Sequence, residues 1–314
     1  MEKKINNAIQ PLPDPHQLFQ ELGHDPTAIH RVETLSKRHG HALWRMILPE
    51  QSYILKWQPF ADARIEIESY LMLQSLGVPT LPVYGYTSQA LLLEDLAQSE
   101  SWRLALETDM AWPATGRAAA RWYKLFHQAG EELLSQGDYP SFLTRETDVL
   151  DLSSLLNAGH TLSLDTYPVW DLAVLQIDLL KAAVAKLSFT LNYNDFHWTN
   201  LALSRNEREQ LDAIIFDYHL LGVGMRYSDC RNVTGSLSGA AVPAFWNTYG
   251  DIDPREQVLD QPLAHLYALT IASQMPKIPS WAEESRTRLV NGTLKKDLLA
   301  AIELSHQICS GKLL

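Results

Sequence analysis

The chain has 314 residues, 46% hydrophobic and 20% charged, with a formal net charge of −11 from 26 Lys plus Arg against 37 Asp plus Glu. This is the composition of one large or two modest globular domains, which excludes a disordered chain, and its acidity argues against a nucleic-acid partner. Two cysteines form neither a disulfide framework nor a metal cluster, and no stretch approaches the roughly 18 apolar residues of a spanning helix. With no apolar core of signal-peptide length at the N-terminus, the expectation is a cytoplasmic protein without a membrane partner, as a monomer or homodimer.

A polar lead-in precedes a short helix expected around Pro15–Leu22. Between residues 30 and 58 the sequence reads as strands, with Ala42–Ile47 mostly apolar and Tyr53–Trp57 rich in β-favouring residues. Residues 63–76 read as a helix stopped by Gly77 and Pro79, and Leu81–Tyr86 and Ala90–Leu93 as two further strands. From Ala111 onward helical spacing dominates, over Gly116–Leu134, Tyr167–Leu187 and Pro254–Ser273. Two short apolar patches, Leu191–Tyr193 and Ala213–Phe216, interrupt it, each flanked by Asp, Asn and His. The expected organisation is therefore α+β: a small strand-rich lobe over residues 1–97 and a larger, mainly helical lobe over 98–314.

The densest polar signal is Asn192–Asn200, reading Asn-Tyr-Asn-Asp-Phe-His-Trp-Thr-Asn, with Asp195 five positions before Asn200. A second cluster places Asp217 at the end of the apolar run Ile214–Phe216. Phosphoryl transfer needs a group that orients a hydroxyl and accepts its proton, and oxygen ligands for the Mg²⁺ that bridges the phosphates. Asp195 suits the first task; Asn200 and Asp217 suit the second. Asp and Asn also cap helices and close turns after strands; what favours the chemistry is the occurrence of both clusters in this order. Asp195, His197 and His219 raise the alternative of a transition-metal site, but the spacing fits a phosphate-and-magnesium site better. There is no Gly-x-Ser-x-Gly nucleophile elbow.

At these residues the sequence resembles the aminoglycoside phosphotransferases and their choline kinase-like relatives, over roughly residues 30–275. The resemblance implies a bilobal protein-kinase-like fold. The family's catalytic loop, His-Gly-Asp, four residues, Asn, is matched by Tyr193-Asn194-Asp195 and Asn200, which makes Asp195 the catalytic aspartate and Asn200 a metal ligand. The following strand, aspartate, glycines and second aspartate are matched by Phe216-Asp217, Gly222, Gly224 and Asp229. Asp217 then takes the main metal-binding role and Asp229 a structural one. Tyr53–Trp57 matches the strand whose lysine contacts the α- and β-phosphates, nominating Lys56. Glu94-Asp95-Leu96 matches the hinge whose backbone holds the purine, without separating ATP from GTP. His127 ends a helix motif of the family and is expected to be structural. The segment around Phe245–Tyr249 matches the start of the helices that wall the acceptor pocket.

Helical spacing through residues 65, 68, 72 and 76 places Glu68 on an apolar, inward-facing side with Ile65, Met72 and Leu76, and turns Glu66 away. A carboxylate on a core face needs a partner, and Lys56 is the expected one. Two features depart from the family pattern. Tyr193-Asn194 replaces His-Gly, and the first strand pair lacks a glycine-rich turn, leaving only Gly40 within Leu35–His41. The backbone of Ser36–His41 is one candidate cover for the phosphates; a solvated turn carrying Lys37 and Arg38 is the other. The expected function is transfer of the γ-phosphate of ATP or GTP, with Mg²⁺, to a hydroxyl of a small molecule: an aminoglycoside, a choline-like alcohol, a sugar or an amino-alcohol. The acidic charge is compatible with a cationic acceptor. The alternative is a nucleotide- or ligand-binding pseudokinase.

Overall fold

The computed structural model describes residues 12–38, 40–137, 139–205 and 210–311. The start of the polar lead-in and His39 of the expected phosphate-covering segment lie outside the described residues. In chain order the elements are α1 (Pro15–Glu21), β1 (Arg31–Arg38), β2 (His41–Ile47), β3 (Ser52–Trp57), α2 (Phe60–Ser75), β4 (Val83–Tyr86), β5 (Ala90–Glu94) and β6 (Trp102–Leu104). The long helix α3 (Pro113–Ser135) leads to β7 (Thr144–Arg145), α4 (Glu146–Val149), α5 (Leu152–Leu162), α6 (Pro168–Val184) and β8 (Thr190–Asn192). Then come β9 (Leu201–Ser204), β10 (Ala213–Ile215), β11 (Gly222–Gly224), α7 (Arg226–Ser236), α8 (Ala241–Tyr249), α9 (Pro254–Ala272), α10 (Glu283–Val290) and α11 (Thr293–Cys309). The fold is α+β.

The chain forms two compact units. The first comprises residues 1–125, 195–221 and 235–249. Its main sheet is antiparallel, in the order β1-β2-β3-β5-β4. Side chains of β2 alternate with period two: Ala42, Trp44 and Met46 are buried, while His41, Leu43 and Arg45 are partly exposed. The buried set packs with Tyr53, Leu55 and Trp57 of β3 against Leu18, Phe19 and Leu22 from the α1 region. One face of the sheet is thus closed by a helix, which leaves the other for a cleft. Helix α1 starts where its sequence says it should: the Asp14 side chain accepts from the His16 N–H and Pro15 occupies the first turn. A second sheet, β10-β9-β6, completes the strands of this unit.

The second unit comprises residues 126–194, 222–234 and 250–314. Its core is helical, with Trp170, Ile177 and Leu180 of α6 packed among Leu259, Leu263 and Leu266 of α9 and Leu294 and Leu298 of α11. A small sheet, β7-β11-β8, sits in this unit, with Gly222 opposite Asn192 and Gly224 opposite Thr190. Both glycines are sterically required: a Cβ on Gly222 would lie 2.6 Å from the Thr144 carbonyl oxygen, and one on Gly224 2.0 Å from Asn192 Oδ1. No helix among the described residues is long and apolar enough to cross a membrane.

Candidate active site

The open face of the main sheet and the residues that follow it line a cleft of about 590 Å³ within the first unit. Leu43, Ile54, Leu93, Leu81 and Phe216 supply apolar lining, Arg45 and Asp95 mark one part of the wall, and Lys56, Glu66 and Asp217 another. Strand register sets this order: Leu43 stands opposite Lys56, and Arg45 opposite Ile54. The cleft thus sets apolar walls beside a cluster of charged side chains, the usual composition of a small-molecule site.

Lys56 projects from β3 into this cluster. Its Nζ lies 2.7 Å from Glu66 Oε2 and 2.9 Å from Asp217 Oδ1. Burial opposes the lysine charge, but the carboxylates of Glu66 and Asp217 outweigh it and raise the Lys56 pKa above its ordinary value. Glu66 is in turn held by the side-chain amide of Gln58, from the residue just after β3. The expected pair with Glu68 does not form. Glu68 is 37% exposed and bonds to Arg64 one turn earlier, whereas Glu66 is 1% exposed. The buried stripe of α2 runs through Ala63, Glu66, Ile67, Tyr70 and Leu73, not through Ile65, Glu68, Met72 and Leu76. The carboxylate that needs a partner is therefore Glu66.

Asp217 and Asn200 are brought close by the β9–β10 pairing. Ile215 stands opposite Leu201, and the Phe216 N–H donates to the Asn200 carbonyl at 3.1 Å, one residue before Asp217. Asp217 adopts a left-handed backbone, φ +70°, which short polar side chains tolerate best after glycine. Its Oδ1 also lies 2.8 Å from His219 Nδ1. Burial works against ionisation of Asp217, but the His219 hydrogen bond and the Lys56 charge overcome it and hold the carboxyl well below the usual carboxylate range. The same bond raises the His219 pKa.

Asp195 follows the passage of the chain from the second unit into the first. The Asn200 side-chain amide donates to Asp195 Oδ2 at 2.9 Å and to its carbonyl oxygen at 3.2 Å. Burial pushes the Asp195 pKa up and the Asp217 charge adds to this, while His219 and the Asn200 bond oppose it. His197 caps the short turn Trp198–Asn200, accepting from the Thr199 N–H.

In the second unit, Asp229 on α7 is buried, and its carboxylate accepts the N–H groups of Tyr193 at 2.8 Å and Asn194 at 3.0 Å. His127 Nε2 lies 3.2 Å from the same carboxylate. Asn194 has φ +67°. Asn194 stands where the resembled family has glycine, and the left-handed backbone there is one that Asn adopts most readily after glycine.

The hinge candidates Glu94, Asp95 and Leu96 all line the cleft. The Asp95 carboxylate is fully engaged, by Arg45 Nε at 2.6 Å, Ser52 Oγ at 2.5 Å and the Ala97 N–H at 3.1 Å. What it offers a ligand is backbone. Leu35, Ser36 and His41 also line the cleft, while Lys37 and Arg38 are exposed. The sequence pattern turns Glu66 away from the core, opposite to where the fold puts it, and carries no signal for Gln58 or Arg45.

No family model matches the chain, and no curated protein matches it in sequence. Solved structures do. The choline kinase LicA from Streptococcus pneumoniae superposes with a TM-score of 0.59 at 13% identity, covering 89% of this chain and 96% of that one. The chain has the protein-kinase-like fold of the small-molecule kinases. The macrolide 2′-phosphotransferase MphH from Brachybacterium faecium gives a TM-score of 0.55 at 14% identity over 87% of this chain and 95% of that one. A spectinomycin phosphotransferase in complex with ADP and spectinomycin gives 0.50 at 12% identity over 95% and 99%. At such identities the likeness establishes the fold, and it agrees with the family that the motifs resemble.

Proposed function

We propose that this chain is a magnesium-dependent phosphotransferase that moves the γ-phosphate of ATP or GTP onto a hydroxyl of a small molecule. The observation that carries the reading is the cluster Lys56–Glu66–Asp217 in a cleft with apolar walls, beside the Asp195–Asn200 pair. An ordinary helical or binding module has no need to hold a lysine against two carboxylates, one of them in a left-handed backbone. The neighbours of this fold include choline kinases and macrolide and spectinomycin phosphotransferases, which supports a small-molecule acceptor.

The residues fit a magnesium ion. Asp217 is held ionised and Asn200 adds an amide oxygen, both hard oxygen donors. Among the described residues no group of three or more His, Cys, Asp or Glu side chains is placed to hold a metal by itself. That suits an ion bound through one carboxylate together with phosphates and water rather than in an all-protein cage. When bound, the ion would neutralise charge on the β- and γ-phosphates.

The protein's own groups have separable tasks. Glu66 keeps Lys56 extended into the cleft, where its ammonium meets the α- and β-phosphates. The backbone of Glu94–Leu96 faces the base, with Asp95 fixing that segment through Arg45 and Ser52. Asp195 orients the acceptor hydroxyl and takes its proton; burial favours that step by raising its basicity. A cytoplasmic enzyme with a hinge at Glu94–Leu96 completes the reading.

A second reading, a nucleotide-binding pseudokinase, draws on the direct bond between Lys56 and Asp217, which a Mg-nucleotide has to open, and on the replaced glycine-rich turn. The test is calorimetry with ATP and GTP, each with and without Mg²⁺, followed by a phosphotransfer screen over aminoglycosides, choline-like alcohols, sugars and amino-alcohols with Asp195→Ala as the blank. A transfer product lost in the variant supports the enzyme. Tight nucleotide binding without transfer supports the pseudokinase, and no Mg-dependent binding refutes both.

A further inference from the structure

A groove of about 480 Å³ in the second unit shares no residue with the Lys56 cleft. Its lining includes Glu131, Leu134 and Ser135 from α3, Tyr139, Ser188 and Phe189, and Arg145 and Arg226. The two arginines differ in a way that matters. Arg226 is committed: its Nε lies 2.8 Å from Glu131 Oε1, and its charge also acts on Asp253 and Glu256. Arg145 has no carboxylate within ion-pair distance among the described residues. Its guanidinium lies over the Phe189 ring, 5.0 Å from the centroid.

In a chain of net charge −11, an arginine on a concave surface with no carboxylate at ion-pair distance among the described residues is unexpected, and the acid that lines this groove, Glu131, is held by Arg226. A guanidinium stays charged at every accessible pH, so it cannot shed the problem by deprotonation. Stacking on Phe189 holds the guanidinium in place while leaving its hydrogen-bonding edge free. The groove is many times larger than one water, whose share of liquid volume is about 30 Å³. Its lining combines further donors, the hydroxyls of Tyr139 and the exposed Ser188, with apolar surface from Leu134 and Phe189.

We propose that this groove is a binding site for an organic phosphate monoester, with Arg145 as its anchoring cation. Three donor groups, the Arg145 guanidinium and the Tyr139 and Ser188 hydroxyls, match the three terminal oxygens of a monoester. The Ser135 hydroxyl already donates to the Glu132 carbonyl at 2.8 Å, so it can only accept. Leu134 and Phe189 suit the organic part. The site stands independently of the phosphotransfer reading, and either can fail alone.

The experiment is calorimetric titration of the full chain with phenyl phosphate, with benzoate as the carboxylate comparison. Lys56→Met carries the same titration to remove any contribution from the nucleotide cleft. Saturable phenyl phosphate binding is expected in the wild type and in Lys56→Met. Arg145→Gln should weaken it about tenfold or more, with Mg-nucleotide affinity unchanged. Arg145→Lys, which keeps the charge and loses the planar fork, should fall between, and carries the same test if Arg145→Gln does not fold. No binding to the wild type, binding indifferent to both Arg145 variants, or binding abolished in Lys56→Met overturns the site. Equal affinity for benzoate overturns the assignment of ligand class.

Discussion

Lys56 and Glu66 are ten residues apart in sequence, and the ammonium of one lies 2.7 Å from the carboxylate of the other, with Glu66 almost wholly buried. Removing one partner of a buried pair leaves the other charge uncompensated, whereas an exposed pair within one helix contributes little. Glu66→Gln is therefore expected to weaken Mg-nucleotide binding about tenfold or more, because Lys56 is then drawn towards Asp217 alone. Glu68→Gln, which breaks only the exposed contact with Arg64, should leave affinity and melting temperature near the wild-type values. Calorimetry on the two variants side by side checks this. Equal losses would place the phosphate-binding pair elsewhere.

Asp217 and Asp195 divide binding from chemistry under the proposed mechanism. Asp217→Ala should cut Mg-dependent nucleotide affinity strongly while leaving metal-independent binding closer to normal. Asp195→Ala should retain Mg-nucleotide affinity and lose turnover by about a hundredfold or more, the scale of a general base. Isothermal titration paired with single-turnover transfer assays separates the two. An Asp195→Ala protein that binds nucleotide poorly but turns over normally would contradict the assignment.

The fold was legible where punctuation residues mark the elements. Pro15, Pro254 and Gly77 sit at the helix ends they announce, and the β-favouring run Tyr53–Trp57 lies within β3. Periodicity points to Glu68 instead of Glu66 because α2 carries apolar side chains on nearly every side. Ile65, Met72 and Leu76 make as good a stripe on paper as Ala63, Ile67, Tyr70 and Leu73, so periodicity alone does not select the buried face. Helix α11 carries a weak sequence signal for a related reason. Its buried positions Leu294, Leu298, Ala301, Ser305 and Ile308 keep helical spacing, but the small residues Ala301 and Ser305 break the apolar signal. The site's charged residues were readable as types and spacings. What spacing did not reveal is the left-handed backbone at Asn194 and Asp217, which depends on tertiary contacts.

Asp229 should be among the costliest single residues to truncate. It is fully buried and accepts two backbone N–H groups from the loop leading to Asp195, with His127 beside it. Asp229→Ala leaves those donors unsatisfied, which costs about 3 kcal/mol or more. Urea denaturation should show a lower midpoint with an unchanged slope. A shift within about 0.5 kcal/mol would mean that the loop finds other acceptors.

Glu256 gives a pH prediction with a definite sign. It is 2% exposed on α9, and its Oε2 accepts the Tyr227 N–H at 2.9 Å. Burial raises its pKa from 4.5 to about 7, against the opposing effects of the Tyr227 bond and Arg226. The unfolded chain ionises at the lower value and the folded chain at the higher one. The folded state therefore suffers no penalty from this group below pH 4.5, an increasing one between 4.5 and 7, and the full penalty above about 7. A shift of that size corresponds to an upper bound of about 3 kcal/mol. Glu256→Gln preserves the acceptor for Tyr227 and removes the ionisation. The variant is expected to match the wild type in acid and to be more stable than it by about 1–3 kcal/mol at pH 8, with the gain developing between those limits. Denaturation curves for both proteins at pH 5, 6.5 and 8 measure it. A stability difference that does not change with pH would show that Glu256 is not neutral in the folded protein.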